Sequence, residues 1–163
     1  MIITITGTPG TGKTYIAKKI TAWNKNLKYI DLNAMIKKEK LYDSYDKSAK
    51  TYDVDEEKIK KLDKLFKAYN EKNIKAKKIV TLNDLKQKIS NIKGVIIDSH
   101  LSHFLNSNLC IVVKADIKII NNRLKKRKYD SKKIRENIES EIFDVCLEEA
   151  RQLNRNIAII YNN

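Results

Sequence analysis

Short apolar runs and helically spaced apolar positions alternate along the chain. Ile2–Thr6 (IITIT) is wholly β-branched, as a strand buried on both faces requires. Polar, glycine-containing residues follow, and then Ile16, Ala17 and Ile20 recur on one side of a predicted helix over Lys13–Trp23. Lys28–Ile30 reads as a second strand, and Asp31 as the cap of a helix running to about Lys40. Leu41–Asp53 is polar and rich in Tyr, Asp and Ser, which predicts a loop. From Val54 to Asn70, Ile59, Leu62, Leu65, Phe66 and Tyr69 restore helical spacing, and Glu71–Lys78 is a lysine-rich connection. Thr81 opens another helix, with Asp84 as capping partner and Leu82, Leu85 and Ile89 as the apolar stripe. Gly94–Asp98 (GVIID) and Leu109–Val113 (LCIVV) are strands, and Asp116–Arg127 is a basic helix carrying Ile119, Ile120 and Leu124. Ser131 caps a long helix to about Asn154, and Asn156–Tyr161 closes as a last strand.

Strands alternating with helices predict an α/β fold: a five-stranded parallel sheet with helices on both faces. The 163 residues suffice for one domain, with room for a small insert but no second core. Two segments stand apart from the βα rhythm, roughly 31–53 and 71–93, the second resembling an insertion. The two cysteines, Cys110 and Cys146, are too few and too far apart in sequence for a disulfide framework or a cysteine zinc site. Lacking an apolar run of ~18 residues, the chain is expected to be a cytoplasmic protein that does not enter a membrane. The opening apolar run reads as a strand rather than a leader.

Glycine placement sharpens this picture. Of 4 glycines, Gly7, Gly10 and Gly12 lie together with the single proline, Pro9. Gly7–Thr14 (GTPGTGKT) matches GxxxxGK[ST], between a β-branched strand and an amphipathic helix. Such a loop turns backbone N–H groups inward around phosphate oxygens and sets a helix N-terminus against the same anion. Lys13 would reach the β- and γ-phosphates and the Thr14 hydroxyl would ligate Mg²⁺, so ATP and Mg²⁺ are the expected cofactors. Asp98, ending GVIID, suits the carboxylate that holds the magnesium water shell, or else a helix cap. His100, two residues on, is either a catalytic neighbour of that site or a packing residue.

The formal net charge is +14, which points to anionic partners such as nucleotides or nucleic acid, or simply to a lysine-rich surface. Lys114–Arg135 carries ten basic residues against two acidic ones. Arg123 and Arg127, one helical turn apart, suit a lid whose guanidinium groups meet a moving phosphoryl group. A guanine-reading NKxD is lacking: Asn24-Lys25-Asn26-Leu27 has no Asp and follows the wrong element. A small P-loop protein with a lid and a segment after the second strand fits a nucleoside monophosphate kinase.

Several strings together resemble the adenylate kinase isoenzyme 6 family, small kinase-like proteins also implicated in small ribosomal subunit maturation. They are Ile5–Thr14, Lys28–Leu32 (KYIDL), Lys40–Asp46 (KLYDSYD), Val95–His100 (VIIDSH), Arg123–Tyr129 (RLKKRKY) and Lys133–Ala150. The resemblance covers most of the chain. It implies a single P-loop kinase domain over 1–163, with a monophosphate-binding segment at 31–54 and a short lid at 126–136. It implies interconversion of ATP and AMP with two ADP, and a weaker ATPase activity.

The nucleotide contacts carried over are Gly7, Gly10, Thr11, Gly12, Lys13, Thr14, Tyr15 and Arg127, with Thr14 and Asp98 at the metal. Lys13, Asp98, His100, Arg123 and Arg127 form the catalytic set. Asp31, Lys37, Tyr42 and Tyr45 are the candidates for the monophosphate. Three positions depart from the family pattern. Tyr15 replaces a second hydroxyl residue, Lys128 replaces the glycine of an Arg-Gly-Tyr lid string, and Lys37 stands where an arginine is expected. A competing reading makes the protein an ATP-switched assembly factor. Its lysine-rich 58–93 and 114–135 would meet rRNA, and its acidic Glu136–Glu149 stretch a basic ribosomal protein. That acidic stretch equally serves to offset the neighbouring positive charge.

Overall fold

The structure is a computed structural model that describes residues 1–46, 51–66, 69, 81–154 and 156–163, without the side chains of Asp46 and Thr51. Five strands form one parallel sheet: β1 (Ile2–Thr6), β2 (Leu27–Asp31), β5 (Gly94–Asp98), β6 (Leu109–Lys114) and β7 (Ile157–Tyr161), in the order β2-β5-β1-β6-β7. Period-two alternation sends their side chains into two cores. Ile3 and Ile5, with Ile96, Leu109, Ile111 and Val113, pack against α1 (Lys13–Trp23) and α5 (Leu82–Ile89). On the opposite face Ile2, Val95 and Ile97 meet α2 (Leu32–Lys38), α3 (Glu56–Lys61) and the single turn α4 (Asp63–Phe66). Cys110 and Val112 meet α8 (Val145–Leu153) on that same side. Helices therefore cover both faces, as the continuous apolar strands require.

β1 lies at the centre of the sheet. Chain order reverses there, with β5 on one side and β6 on the other, so the loop leaving β1 opens into the crevice at the carboxyl ends of the strands. Two further helices flank that crevice: α6 (Ile117–Lys126) and α7 (Ser131–Ile142). Their apolar stripes meet each other, Ile120 and Leu124 against Ile134, with Ala115 beneath.

Three elements differ from the sequence expectation. Within 41–53 lies an antiparallel hairpin of β3 (Ser44–Asp46) and β4 (Thr51–Asp53), with Tyr45 opposite Tyr52. The helical stretch from Val54 is two short pieces, α3 and α4, capped at Asp55. The expected helix from Ser131 to Asn154 is broken, because Asp144 takes a left-handed conformation (φ 55°) between α7 and α8. Its cap is Asp130, which accepts from Lys133 N–H at 2.8 Å. The second half of the 71–93 segment is α5, whose Leu85 and Ile89 are completely buried against the sheet. Residues 71–80 lie outside the described residues.

Candidate active site

The phosphate loop takes its shape from its glycines. Gly7, Gly10 and Gly12 have φ of 135°, 99° and 96°, where a Cβ is strained. At Gly7 a Cβ would also stand 2.2 Å from the Val113 carbonyl oxygen, so the loop lies directly on β6. Inside the loop Thr11 is buried and closes a turn, its Oγ1 donating to the Thr8 carbonyl at 2.9 Å. Gly12 caps α1 without a side chain, leaving the first N–H groups of that helix facing the crevice.

Lys13 Nζ donates to the Thr8 carbonyl at 3.0 Å across the loop. Desolvation pushes its ammonium down from 10.5 to about 8, partly opposed by the nearby Cys146 and Asp98. A cation held this way is short of compensating anions, which is what an incoming polyphosphate supplies.

Thr14 begins the second residue of α1 and donates from Oγ1 to Asp98 Oδ2 at 2.6 Å. Tyr29, on β2, donates to the same oxygen at 3.1 Å. Burial, then the Asp98 charge, raises the Tyr29 phenol well above its ordinary value, so it is a constant donor. Asp98 is buried, and its Oδ1 has no hydrogen-bond partner. A hydroxyl and a carboxylate in contact, with one buried carboxylate oxygen unsatisfied, are hard donors of the type Mg²⁺ prefers. The residues therefore fit that ion.

The crevice is a cleft of about 1310 Å³. Its floor is the loop from Pro9 to Tyr15 with Asp98 and His100. Arg127, Tyr129 and Lys133 form one wall at the α6–α7 turn, and Val145, Cys146 and Glu149 continue it along α8. The facing wall is apolar: Ile36, Tyr52, Val54, Leu101 and Phe104, with Asn33 and Glu56.

The two arginines differ. Arg123 is fixed beneath the loop, Nη1 donating to the carbonyls of Gly10, Thr11 and Asn162, each at 3.2 Å. Arg127 caps α6 and is exposed, and its guanidinium makes no hydrogen bond or ion pair to the described residues. Lys133 lies over the Tyr129 ring, 4.6 Å from its centroid. His100 is half-buried, and burial followed by the Lys13 charge lowers it to about 4, so it is neutral near pH 7.

Of the candidates from sequence, Gly10, Gly12, Lys13, Thr14, Tyr15, Asp98, His100, Arg123 and Arg127 converge on the cleft, while Gly7 and Thr11 shape the loop from behind. Asp31, Lys37, Tyr42 and Tyr45 do not line it. Asp31 caps α2, accepting from Ala34 N–H at 3.0 Å. Lys37 is exposed near the C-terminus of that helix. Tyr42 and Tyr45 pack on Tyr52, with ring centroids 4.5 and 4.8 Å away. Tyr52, between them, is the one of these three that lines the cleft. Asn33, Tyr52, Val54 and Asn162 were missed because nothing in their local sequence marks them. Asn162 Nδ2 donates to the Thr11 carbonyl across 151 positions of chain, a contact only the fold creates.

A phosphate loop at the switch point of a parallel sheet, facing an apolar wall and a basic turn, defines a P-loop protein with the nucleoside monophosphate kinase-like fold. The AAA domain profile AAA_18 matches residues 3–144. A Methanocaldococcus jannaschii protein named "Putative adenylate kinase" is 38% identical over 151 residues, covering 93% of this chain and 72% of that one. The "Adenylate kinase isoenzyme 6 homolog" of Dictyostelium discoideum is 34% identical over 152 residues, covering 91% of this chain and 73% of that one. The chain belongs to this adenylate kinase isoenzyme 6 family. Among solved structures, an unliganded sugar kinase from a Janibacter species shares the fold, with a TM-score of 0.51 at 13% identity, over 99% of this chain and 83% of that one.

Proposed function

We propose that the protein is a nucleoside monophosphate kinase that transfers the terminal phosphoryl group of ATP to AMP. The observation that carries this reading is the cleft itself: Lys13, Thr14 and Asp98 converge on its floor, opposite an apolar wall with room for a second nucleotide. The names of the relatives agree with it.

ATP would lie along the loop, its phosphates held by backbone N–H groups and by Lys13. Thr14 and Asp98 would hold Mg²⁺, completed by phosphate oxygens. Among the described residues no group of three His, Cys, Asp or Glu side chains is placed to hold an ion alone. When bound, Mg²⁺ neutralises phosphate charge. AMP would place its base against Tyr52, Ile36 and Val54. Arg123 keeps the loop carbonyls turned away from the phosphates, and the unpaired Arg127 turns inward with the 126–136 lid to meet charge on the moving group. Neutral His100 is placed to orient the attacking oxygen. With water in the acceptor's place, the same site hydrolyses ATP slowly.

The exposed Lys125, Lys126, Lys128 and Lys132 around the lid support a further role beside catalysis, in small ribosomal subunit maturation, through contact with rRNA phosphates, and the acidic Glu136–Glu149 stretch would meet a basic ribosomal protein. Titration of AMP calorimetrically, with a non-hydrolysable ATP analogue present, tests the kinase reading. Saturable binding, tightened by the analogue, is expected. Absence of AMP binding while the analogue binds would favour the assembly-factor reading.

A further inference from the structure

Behind the cleft, Thr6, His103 and Glu149 stand in line. Thr6 ends β1 and immediately precedes the phosphate loop. Its Oγ1 donates to the His100 carbonyl at 3.1 Å and lies 2.7 Å from His103 Nδ1. Across the ring, His103 Nε2 is 3.1 Å from Glu149 Oε2. That contact is not aligned as a hydrogen bond, so a buried ring nitrogen is left without one. His103 is 1% exposed, whereas Glu149 forms part of the cleft wall.

The line is one proton short. Three links need three protons: Thr6 to the His100 carbonyl, Thr6 to His103, and His103 to Glu149. A hydroxyl, a neutral imidazole and an ionised carboxylate supply only two. With Thr6 donating to the His100 carbonyl, the imidazole must carry its proton on Nδ1, and the bare Nε2 faces a bare carboxylate. With the proton on Nε2 instead, Thr6 must turn to Nδ1 and the His100 carbonyl loses its donor. The 2.7 Å contact between Thr6 Oγ1 and His103 Nδ1 suits either arrangement, and in both one of the three links lacks its proton.

Resting on the kinase reading, we infer that His103 and Glu149 are positioning residues. A proton taken up by Glu149 completes a hydrogen-bonded line from α8 to Thr6 and fixes the strand end that launches the phosphate loop.

The 3₁₀ turn Ser102–Phe104 that carries His103 is packed against α8, β1 and α3. From α8 it faces Glu149, with Cys146 one turn earlier; from α3 it faces Glu56; β1 brings no titratable side chain. His100 lies beside it, under the charges of Lys13 and Lys133. Burial, then the Glu56 charge across the cleft, raises the Glu149 carboxyl, while burial lowers His103 to about 4. Both shifts direct the extra proton to the carboxyl rather than the ring. The line therefore completes as pH falls into the upper carboxylate range and opens as pH rises. A nucleotide phosphate near Glu149 would favour the same protonated state.

The test pairs imidazole ¹H–¹⁵N spectra of the full chain with ATP affinity, for the wild type, Glu149→Gln, Glu149→Ala, Thr6→Val and Thr6→Ser. An amide at 149 supplies the missing proton permanently. Glu149→Gln is therefore expected to show Nε2 as a hydrogen-bonded acceptor at every pH, and to keep at pH 8 the ATP affinity that the wild type reaches only at low pH. At low pH, where the wild-type line is complete, Glu149→Ala and Thr6→Val should each weaken ATP binding about fivefold, Thr6→Ser should restore it, and the Thr6→Val/Glu149→Ala double variant should be no worse than either single one. An Nε2 signal indifferent to Glu149→Gln, or losses that multiply in the double variant, would overturn the proposal. If the wild type binds ATP but transfers nothing to AMP, the kinase reading fails alone, and the spectra and affinities still decide the positioning role.

Discussion

Lysine occupies a position usually given to glycine at the ends of two helices. Lys40 (φ 52°) follows α2 and Lys128 (φ 57°) follows α6. Each closes a Schellman turn: Leu41 N–H donates to the Ile36 carbonyl at 3.0 Å, and Tyr129 N–H to the Leu124 carbonyl at 3.3 Å. A side chain in the left-handed region costs about 1–2 kcal/mol. Glycine would relieve that but add about 0.5–1 kcal/mol of chain entropy to the unfolded state. Lys40→Gly is therefore expected to stabilise by about 0.5–1 kcal/mol, raising Tm by about 2 °C in thermal denaturation. Lys13 gives a second expectation at this scale. Its ammonium titrates near 8 in the free protein, and bound phosphate raises that value. ATP affinity should fall as pH rises beyond about 8, and binding there should be accompanied by proton uptake. Titrations at several pH values in two buffers of different ionisation heat measure both. Lys13→Arg should remove the alkaline loss, because guanidinium stays charged.

Among the elements, those with strong periodicity or a cap were legible: β1, β5 and α1 fall at the expected residues. The Thr81–Asp84 pair forms the reciprocal capping box read from its spacing. What failed has physical causes. β3 and β4 are three residues each, too short for alternation to register, and pair through contacts between tyrosines rather than through an apolar face. The α7–α8 break leaves the apolar spacing in phase on both sides, so only the left-handed Asp144, held by Lys114, reveals it. Asp31 separates cap from ligand. Asp31→Ala should cost about 1 kcal/mol of stability in denaturant unfolding. The KM for AMP should stay within about twofold, since Asp31 does not line the cleft. A tenfold rise would return it to the acceptor site.

At the scale of the molecule, the sequence carried the sheet, the position of its phosphate loop and the loop's chemistry, because each rests on contiguous residues. The apolar wall of the cleft was not legible. Ile36, the Tyr52–Val54 strand end and Phe104 come from three separate segments, and each looks locally like a core residue. The +14 charge also divides spatially: Lys13, Arg123, Arg127 and Lys133 border the cleft, while Lys125, Lys126, Lys128 and Lys132 are exposed around the α6–α7 turn. Raising salt should therefore weaken any nucleic-acid binding steeply and ATP binding much less, since the loop holds phosphate through backbone N–H groups as well as charge. Parallel salt titrations with a short RNA and with ATP would show it.

Everything in this reading converges on phosphoryl transfer between two nucleotides in one cleft. Its most direct measurement is ³¹P NMR of ATP, AMP and Mg²⁺ with the wild type and Lys13→Ala. Two ADP formed per ATP consumed, only when AMP is present, and a loss of at least about a hundredfold in Lys13→Ala, is the expected result. Equal amounts of ADP and inorganic phosphate, at a rate indifferent to AMP, would contradict it.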